Sequence, residues 1–99
     1  MNKYRLYQVN EEHFRDVAFS SYYSVKRRCG EPRKEWYMCV YEFESDRELG
    51  PDDLYRMFNL NHPEDFKGRS LSVSDVVEMP DGYWYCDSFG WQELDWGDQ

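Results

Sequence analysis

The order of apolar and polar residues predicts an α+β domain. Residues 4–9 alternate between apolar and polar side chains and favour a strand. Residues 14–19 fit either a second, shorter strand or part of a helix. Ser20 has the position of an N-cap before a short helix at residues 21–29, and Gly30 supplies the left-handed stop. The first third of the chain therefore predicts a strand followed by a helix.

The middle of the chain predicts a strand and a second helix. Residues 36–43 are apolar on both faces for most of their length, which is typical of a central strand covered on both sides. Pro51 lies in the first turn of the next helix, where a missing amide hydrogen costs nothing. Leu54, Met57 and Phe58 form the predicted buried stripe of that helix.

The last part of the pattern predicts a β-hairpin. Residues 71–79 and 83–91 are its two strands, joined by a turn that contains Asp81 and Gly82. Together the elements predict one small α+β domain over residues 1–99. Its sheet is mostly antiparallel, with about four or five strands, and it carries two short helices.

The hairpin has two alternative registers with different chemistry. A three-residue loop sets Asp75 opposite Asp87, and opposed carboxylates would need a divalent ion, a shared proton or a basic partner. A two-residue loop of Asp81 and Gly82 sets Asp75 opposite Ser88, which is an ordinary hydrogen bond. The Asp-Gly pair favours the second register.

Length and cysteine usage exclude several classes of protein. A chain of 99 residues is large enough for one core but not for two. Three cysteines, Cys29, Cys39 and Cys86, are irregularly spaced and favour reduced thiols over a disulfide framework or a zinc site, with Cys39 and Cys86 packed. Neither an apolar run of about 18 residues nor a leader pattern is present, so we expect a cytoplasmic protein without a membrane span.

The net charge of −8 is divided unevenly along the chain. Residues 1–34 hold eight Lys or Arg and four acids, whereas residues 35–99 hold four bases and sixteen acids. Such an excess repels nucleic acid and favours a basic partner, because affinity for DNA or RNA depends largely on Lys and Arg. Five bases in residues 26–34 are the exception, and we interpret them as a solvated helix end.

A row of acids begins near the end of the predicted central strand and continues beyond it. Glu42, Glu44, Asp46 and Glu48 recur every second residue, so in an extended segment they lie on one face, roughly 6.6 to 6.8 Å apart. That spacing is about twice the rise per phosphate on one DNA strand, so the row could imitate a nucleic-acid backbone. The alternative is a solvated edge strand whose acids prevent pairing between sheets.

Several short motifs resemble the YodL-like domain, a small module common in proteins of conjugative and integrative elements of Gram-positive gut bacteria. They are HPEDFKGRSLSVSDVV at residues 62–77, YCDSFGW at 85–91, LYRMFN at 54–59, YRLYQ at 4–8 and YMCVYE at 37–42. The resemblance implies a setting in mobile DNA and no particular reaction. Members of the family carry the module inside larger proteins as often as alone, so a free-standing copy suggests a role of its own.

Catalytic patterns are weak in this sequence. His13 and His62 lack metal-ligand spacing, and no glycine-rich elbow surrounds any serine. We expect no catalytic residue, no cofactor and no bound metal. The enzyme alternative is a metal-dependent nuclease or phosphoesterase that uses Asp75 and Asp87.

The sequence therefore predicts a non-enzymatic inhibitor of a host defence nuclease, in functional terms an anti-CRISPR or anti-restriction protein. Its expected partner is a basic nucleic-acid-binding protein such as a CRISPR effector or a restriction enzyme, and we expect no direct contact with nucleic acid. The predicted binding residues are Glu42, Glu44, Asp46, Glu48, Asp52, Asp53, Asp87, Glu93 and Asp95. The alternative is an accessory module of conjugation or element maintenance that binds another protein through Phe89, Trp91 and Trp96.

Overall fold

Five strands form one antiparallel sheet in the computed structural model, which describes residues 1–66 and 68–96. The strands follow one another across the sheet in the order β2-β1-β3-β4-β5. The elements are β1 (Asn2–Val9), α1 (Phe14–Val17), α2 (Tyr22–Cys29), β2 (Tyr37–Ser45), α3 (Pro51–Leu60), β3 (Val76–Met79), β4 (Gly82–Cys86) and β5 (Trp91–Leu94). Short 3-10 turns, Glu11–His13 and Lys34–Trp36, precede α1 and β2. The predicted α+β class is confirmed.

The sheet has an apolar core on each face. On β1, Tyr7 and Val9 pack with Val25 of α2, so we call this side the α2 face. Tyr4 and Leu6 point to the opposite side and pack against α3, which defines the α3 face. This alternation along β1 follows from the two-residue period of a strand. No helix in the described part of the chain is long and apolar enough to cross a membrane.

Local signals place the helices close to their predicted positions. Ser21, one residue later than predicted, caps α2 by accepting a hydrogen bond from the Ser24 amide, and Gly30 ends the helix with φ of 92°. Leu54 and Phe58 of α3 are buried against the sheet as predicted. The segment that begins at Phe14, for which strand and helix were both open, is helical.

The prediction that residues 36–43 form the central strand of the sheet is wrong. β2 lies at one edge of the sheet, and β3 lies in the middle. Met38 and Cys39 are exposed, so the prediction that Cys39 is packed is also wrong. The apolar pattern of β2 arises because Tyr37 reaches the α2 face while Tyr41 and Phe43 pack on the α3 face, although its outer edge has no neighbour among the described strands.

The hairpin also differs from both predicted registers. Met79 pairs with Gly82, so the loop consists of Pro80 and Asp81. Proline has no amide hydrogen for a strand ladder, which favours its place in the loop. Asp75 lies opposite Cys86, whose amide donates to the Asp75 carbonyl at 2.8 Å.

The two predicted hairpin strands have different bounds in the structure. Residues 71–75 precede β3 as loop and turn instead of extending it. The predicted strand at residues 83–91 is divided into β4 and β5 by a turn, in which the Asp87 amide donates to the Gly90 carbonyl at 3.0 Å. Gly90 has φ of 73°, a left-handed conformation that glycine adopts without strain.

Candidate partner-binding surfaces

Four exposed carboxylates lie along the second half of β2, the edge strand, and the segment after it. Glu42 and Glu44 belong to the strand, and Asp46 and Glu48 lie in the segment that leads to α3. We call these four residues the acidic edge. Arg47 lies among them, so residues 42–48 have a net charge of −3.

Neighbouring cations neutralise only part of the acidic edge. Glu42 forms an ion pair with Arg5, which also pairs with Glu78 at 2.9 Å. Glu44 lies opposite Lys3 in the strand register, but neither it nor Asp46 nor Glu48 forms an ion pair within residues 1–66 and 68–96. The negative charge that a partner could meet is therefore concentrated on Glu44, Asp46 and Glu48.

Asp52 and Asp53 contribute to the structure of α3. Asp53 accepts a hydrogen bond from the Gly50 amide at 2.8 Å and so caps the helix. Asp52 accepts one from the indole nitrogen of Trp91 at 2.9 Å, which joins the start of α3 to β5.

Asp87 also has structural partners. Its Oδ1 atom accepts hydrogen bonds from the amides of Tyr22 at 3.1 Å and Ser88 at 2.8 Å. The first bond connects the β4–β5 turn to the start of α2, and the second fixes the turn itself. This carboxylate is therefore less available to a basic partner than those of the acidic edge.

Glu93 and Asp95 do not join the acidic edge. Glu93 belongs to β5 and Asp95 follows it, at the opposite side of the sheet from β2. Four strand spacings separate the two edge strands, which corresponds to roughly 19 Å. The nine predicted binding acids therefore occupy at least two separate regions.

The three predicted aromatic contact residues have different exposures. Phe89, in the turn between β4 and β5, is 96% exposed. Trp91 is half-buried through its contact with Asp52. Trp96 is only 4% exposed and donates to the Pro32 carbonyl at 3.0 Å, so it belongs to the core and is not available to a partner.

Asp75 lies in a buried polar cluster that the sequence did not predict. Its carboxylate is fully buried and accepts hydrogen bonds from Arg69 at 3.1 Å, Gln8 at 3.1 Å and the Ser72 amide at 2.8 Å. Burial raises the pKa of Asp75 to about 6, although these donors oppose the shift. We call Gln8, Arg69, Ser72 and Asp75 the Asp75 cluster.

Gly68, which precedes Arg69, lets the backbone pass close to Phe66 and to Gln8 of the Asp75 cluster. A Cβ atom at Gly68 would lie 2.9 Å from the Phe66 ring and 3.0 Å from the Gln8 side chain, which is too close for either. The Arg69 guanidinium also lies over the rings of Phe14 and Phe19. Much of the motif at residues 62–77 therefore holds the loop before β3 in place.

The arrangement of Asp75 and Asp87 does not resemble a metal-dependent active site. The observed register does not oppose the two residues, and Arg69 already pairs with the buried Asp75. In the part of the chain that the structure describes, no three His, Cys, Asp or Glu side chains are grouped to hold a metal ion. His13 stacks on Trp36, with ring centroids 5.4 Å apart, and His62 lies beside Phe66.

Comparison with protein families identifies the family of this chain. The family model described as the YodL-like domain matches residues 3–96, nearly the whole chain. No curated protein and no solved structure is significantly similar to it. The match extends through both halves of the sheet and through α1, α2 and α3.

Proposed function

The chain belongs to the YodL-like domain family, and on that premise we propose that it is an inhibitor of a host defence nuclease, of the anti-CRISPR or anti-restriction kind. It acts by binding a basic nucleic-acid-binding surface, with no catalytic step, no cofactor and no direct contact with nucleic acid. The mobile-element setting implied by the family resemblance supports this role. The observation that carries the proposal is the acidic edge, with three carboxylates that have no cation partner in the described chain.

The proposed mechanism is electrostatic competition. Glu44, Asp46 and Glu48 pair with Lys and Arg side chains that would otherwise contact the phosphates of DNA or guide RNA. Because these carboxylates are exposed, salt screens their attraction over a Debye length of about 10 Å at 0.1 M ionic strength. Binding should therefore weaken steeply as salt rises, mainly through slower association.

Capture on a salt gradient tests the proposal. The tagged protein is incubated with lysate that contains restriction and CRISPR effector complexes, and bound proteins are eluted with increasing NaCl. We expect release of a nucleic-acid-binding effector at moderate salt and its displacement by its own DNA or guide RNA. The triple variant Glu44→Gln, Asp46→Asn, Glu48→Gln should lose this capture and any inhibition of cleavage.

A matched variant separates local charge from total charge. Glu11→Gln, Glu12→Gln and Asp16→Asn remove the same number of exposed charges away from the acidic edge, and this variant should still capture the effector. Equal loss of capture in both triple variants would mean that only net charge matters, and the proposal would then be wrong.

The exposure of Phe89 favours a second candidate function. The Phe89 ring is 96% exposed in a turn, and phenylalanine is among the residues that are enriched in protein interfaces relative to the rest of the surface. In that case the protein is an accessory module that binds another protein of the same element. Capture of conjugation proteins that persists at high salt and is lost in Phe89→Ser would favour this candidate over the inhibitor.

A further inference from the structure

The outer edge of β2 is long and unpaired. This strand has nine residues and ends the sheet. Its register with β1 shifts at Val40, and in the regular stretch after that shift, residues 41–45, every second residue directs its backbone amide and carbonyl away from β1. Such an edge is a template for a further strand, and natural proteins commonly protect it by shortening it, by covering it, or by placing charges or a bulge on it. Within residues 1–66 and 68–96, no other strand pairs with this edge.

An apolar groove flanks this edge on the α3 face. Its volume is about 550 Å³, and its apolar lining comes from the end of α3 and from β2 and the segment that follows it. The apolar residues of the groove are Phe43, Leu49, Met57 and Leu60. Its polar rim includes two acids and two bases, Glu44, Asp53, Arg47 and Arg56. Leu60 is 78% exposed, which leaves a large apolar side chain open to a partner.

The other flank of the same edge is acidic. Glu42 and Glu44 pair with Arg5 and Lys3 in the strand register, so their side chains point to the α2 face. A strand that adds to β2 would therefore place alternate side chains beside carboxylates and beside the apolar groove, because side chains alternate between the two faces of a sheet.

We infer that the edge of β2 binds an extended segment of a partner protein as a sixth strand, in which Lys or Arg alternates with apolar residues. This inference rests on the proposed function, since it specifies how the acidic edge recognises a basic partner. Backbone hydrogen bonds to β2 supply affinity, and the two flanks supply specificity. A second copy of the chain fits poorly, because antiparallel pairing of β2 with itself would bring two acidic edges together.

Short labelled peptides test this inference on the intact protein. The first peptide alternates four Lys with four Val, and the control has the same composition as a block of Lys followed by a block of Val. We expect fluorescence anisotropy to show about tenfold tighter binding of the alternating peptide, a difference of about 1.4 kcal/mol. N-methylation of one alternate set of its amides should remove that advantage, whereas N-methylation of the other set should leave it.

Protein variants locate the binding groove. Leu60→Ser should weaken binding of the alternating peptide and leave binding of the block peptide unchanged. Tyr23→Ser is the matched control, because Tyr23 is a similarly exposed residue on α2, on the opposite face of the sheet. An equal effect of the two substitutions would contradict the inferred groove.

The outcomes distinguish strand addition from simple charge attraction. Equal binding of both peptides, weakened alike in the Glu44, Asp46 and Glu48 triple variant, would overturn strand addition and leave the proposed function in place. Equal binding of both peptides that is unaffected by the triple variant would overturn strand addition and count against the proposed function as well.

Discussion

At the scale of single residues, Asp75 links the pH of the solution to folding. Its pKa is raised from 3.8 to about 6 in the folded protein, so between these values the folded state binds more protons than the unfolded state. Under that condition stability decreases as pH rises. At 1.36 kcal/mol per pKa unit, we expect this group to lower the free energy of unfolding by roughly 2 kcal/mol between pH 4 and pH 7.

Urea denaturation at several pH values measures this effect. Asp75→Asn removes the titrating group and keeps its shape. The free energy of unfolding of this variant should therefore not decrease with pH through ionisation at position 75. The free energies of the two proteins should therefore change differently between pH 4 and pH 7. Parallel pH profiles would show that Asp75 ionises at its ordinary pKa in the folded protein.

The sequence could predict some buried residues but not the Asp75 cluster. Leu54 and Phe58 repeat at the helical spacing that brings apolar side chains to one face, so their burial follows from local sequence. Asp75 is buried because Gln8 of β1 and Arg69 meet it in three dimensions. Gln8 is 67 residues away along the chain, and no local pattern indicates that contact.

At the scale of elements, α3 depends on the carboxylate of Asp53. It satisfies the Gly50 amide and lies near the positive end of the helix dipole. We expect Asp53→Ala to lower the free energy of unfolding by about 1 kcal/mol, the usual effect of losing a side-chain cap. Thermal denaturation of Asp53→Ala and Asp53→Asn checks this, because asparagine retains the acceptor.

The two Asp53 variants also separate folding from binding. If Asp53 acts only as a cap, Asp53→Asn should leave capture of a basic partner unchanged. If Asp53→Asn loses capture but keeps its stability, the Asp53 carboxylate contributes to partner binding.

The elements that could be predicted are those with their own start and stop signals. α2 has a serine cap and a terminal glycine, and α3 has Pro51 and an apolar stripe, so both were predicted within a few residues. The position of β2 in the sheet depends on which strands pair with β1, and its apolar residues contact helices that are distant in sequence. Similarly, Gly90 divides β4 from β5, but a glycine within an apolar run is also compatible with one continuous strand.

At the scale of the whole molecule, the net charge of −8 opposes compact folding. Added salt screens this repulsion, whereas the partly buried pair of Arg69 and Asp75 is screened less. We expect the melting temperature to rise by a few degrees between about 0.02 and 0.2 M NaCl. The triple variant of Glu44, Asp46 and Glu48 should show a smaller rise, because it carries fewer repelling charges.

A scanning fluorimetry series over NaCl concentration measures this dependence. A melting temperature that falls as salt rises would show that favourable ion pairs, such as that of Arg5 with Glu42, outweigh the repulsion between acids. The same series run with choline chloride would distinguish general screening from binding of sodium.

The buried position of Trp96 has a consequence for how the protein is made. Its indole packs against Tyr7, Tyr37 and Tyr83, so the core of the α2 face contains residues from β1, β2, β4 and the segment after β5. A nascent chain leaves the ribosome from its first residue onward. This core is incomplete until residue 96 has passed through the exit tunnel, so β1 lacks part of its packing while the rest of the chain is translated.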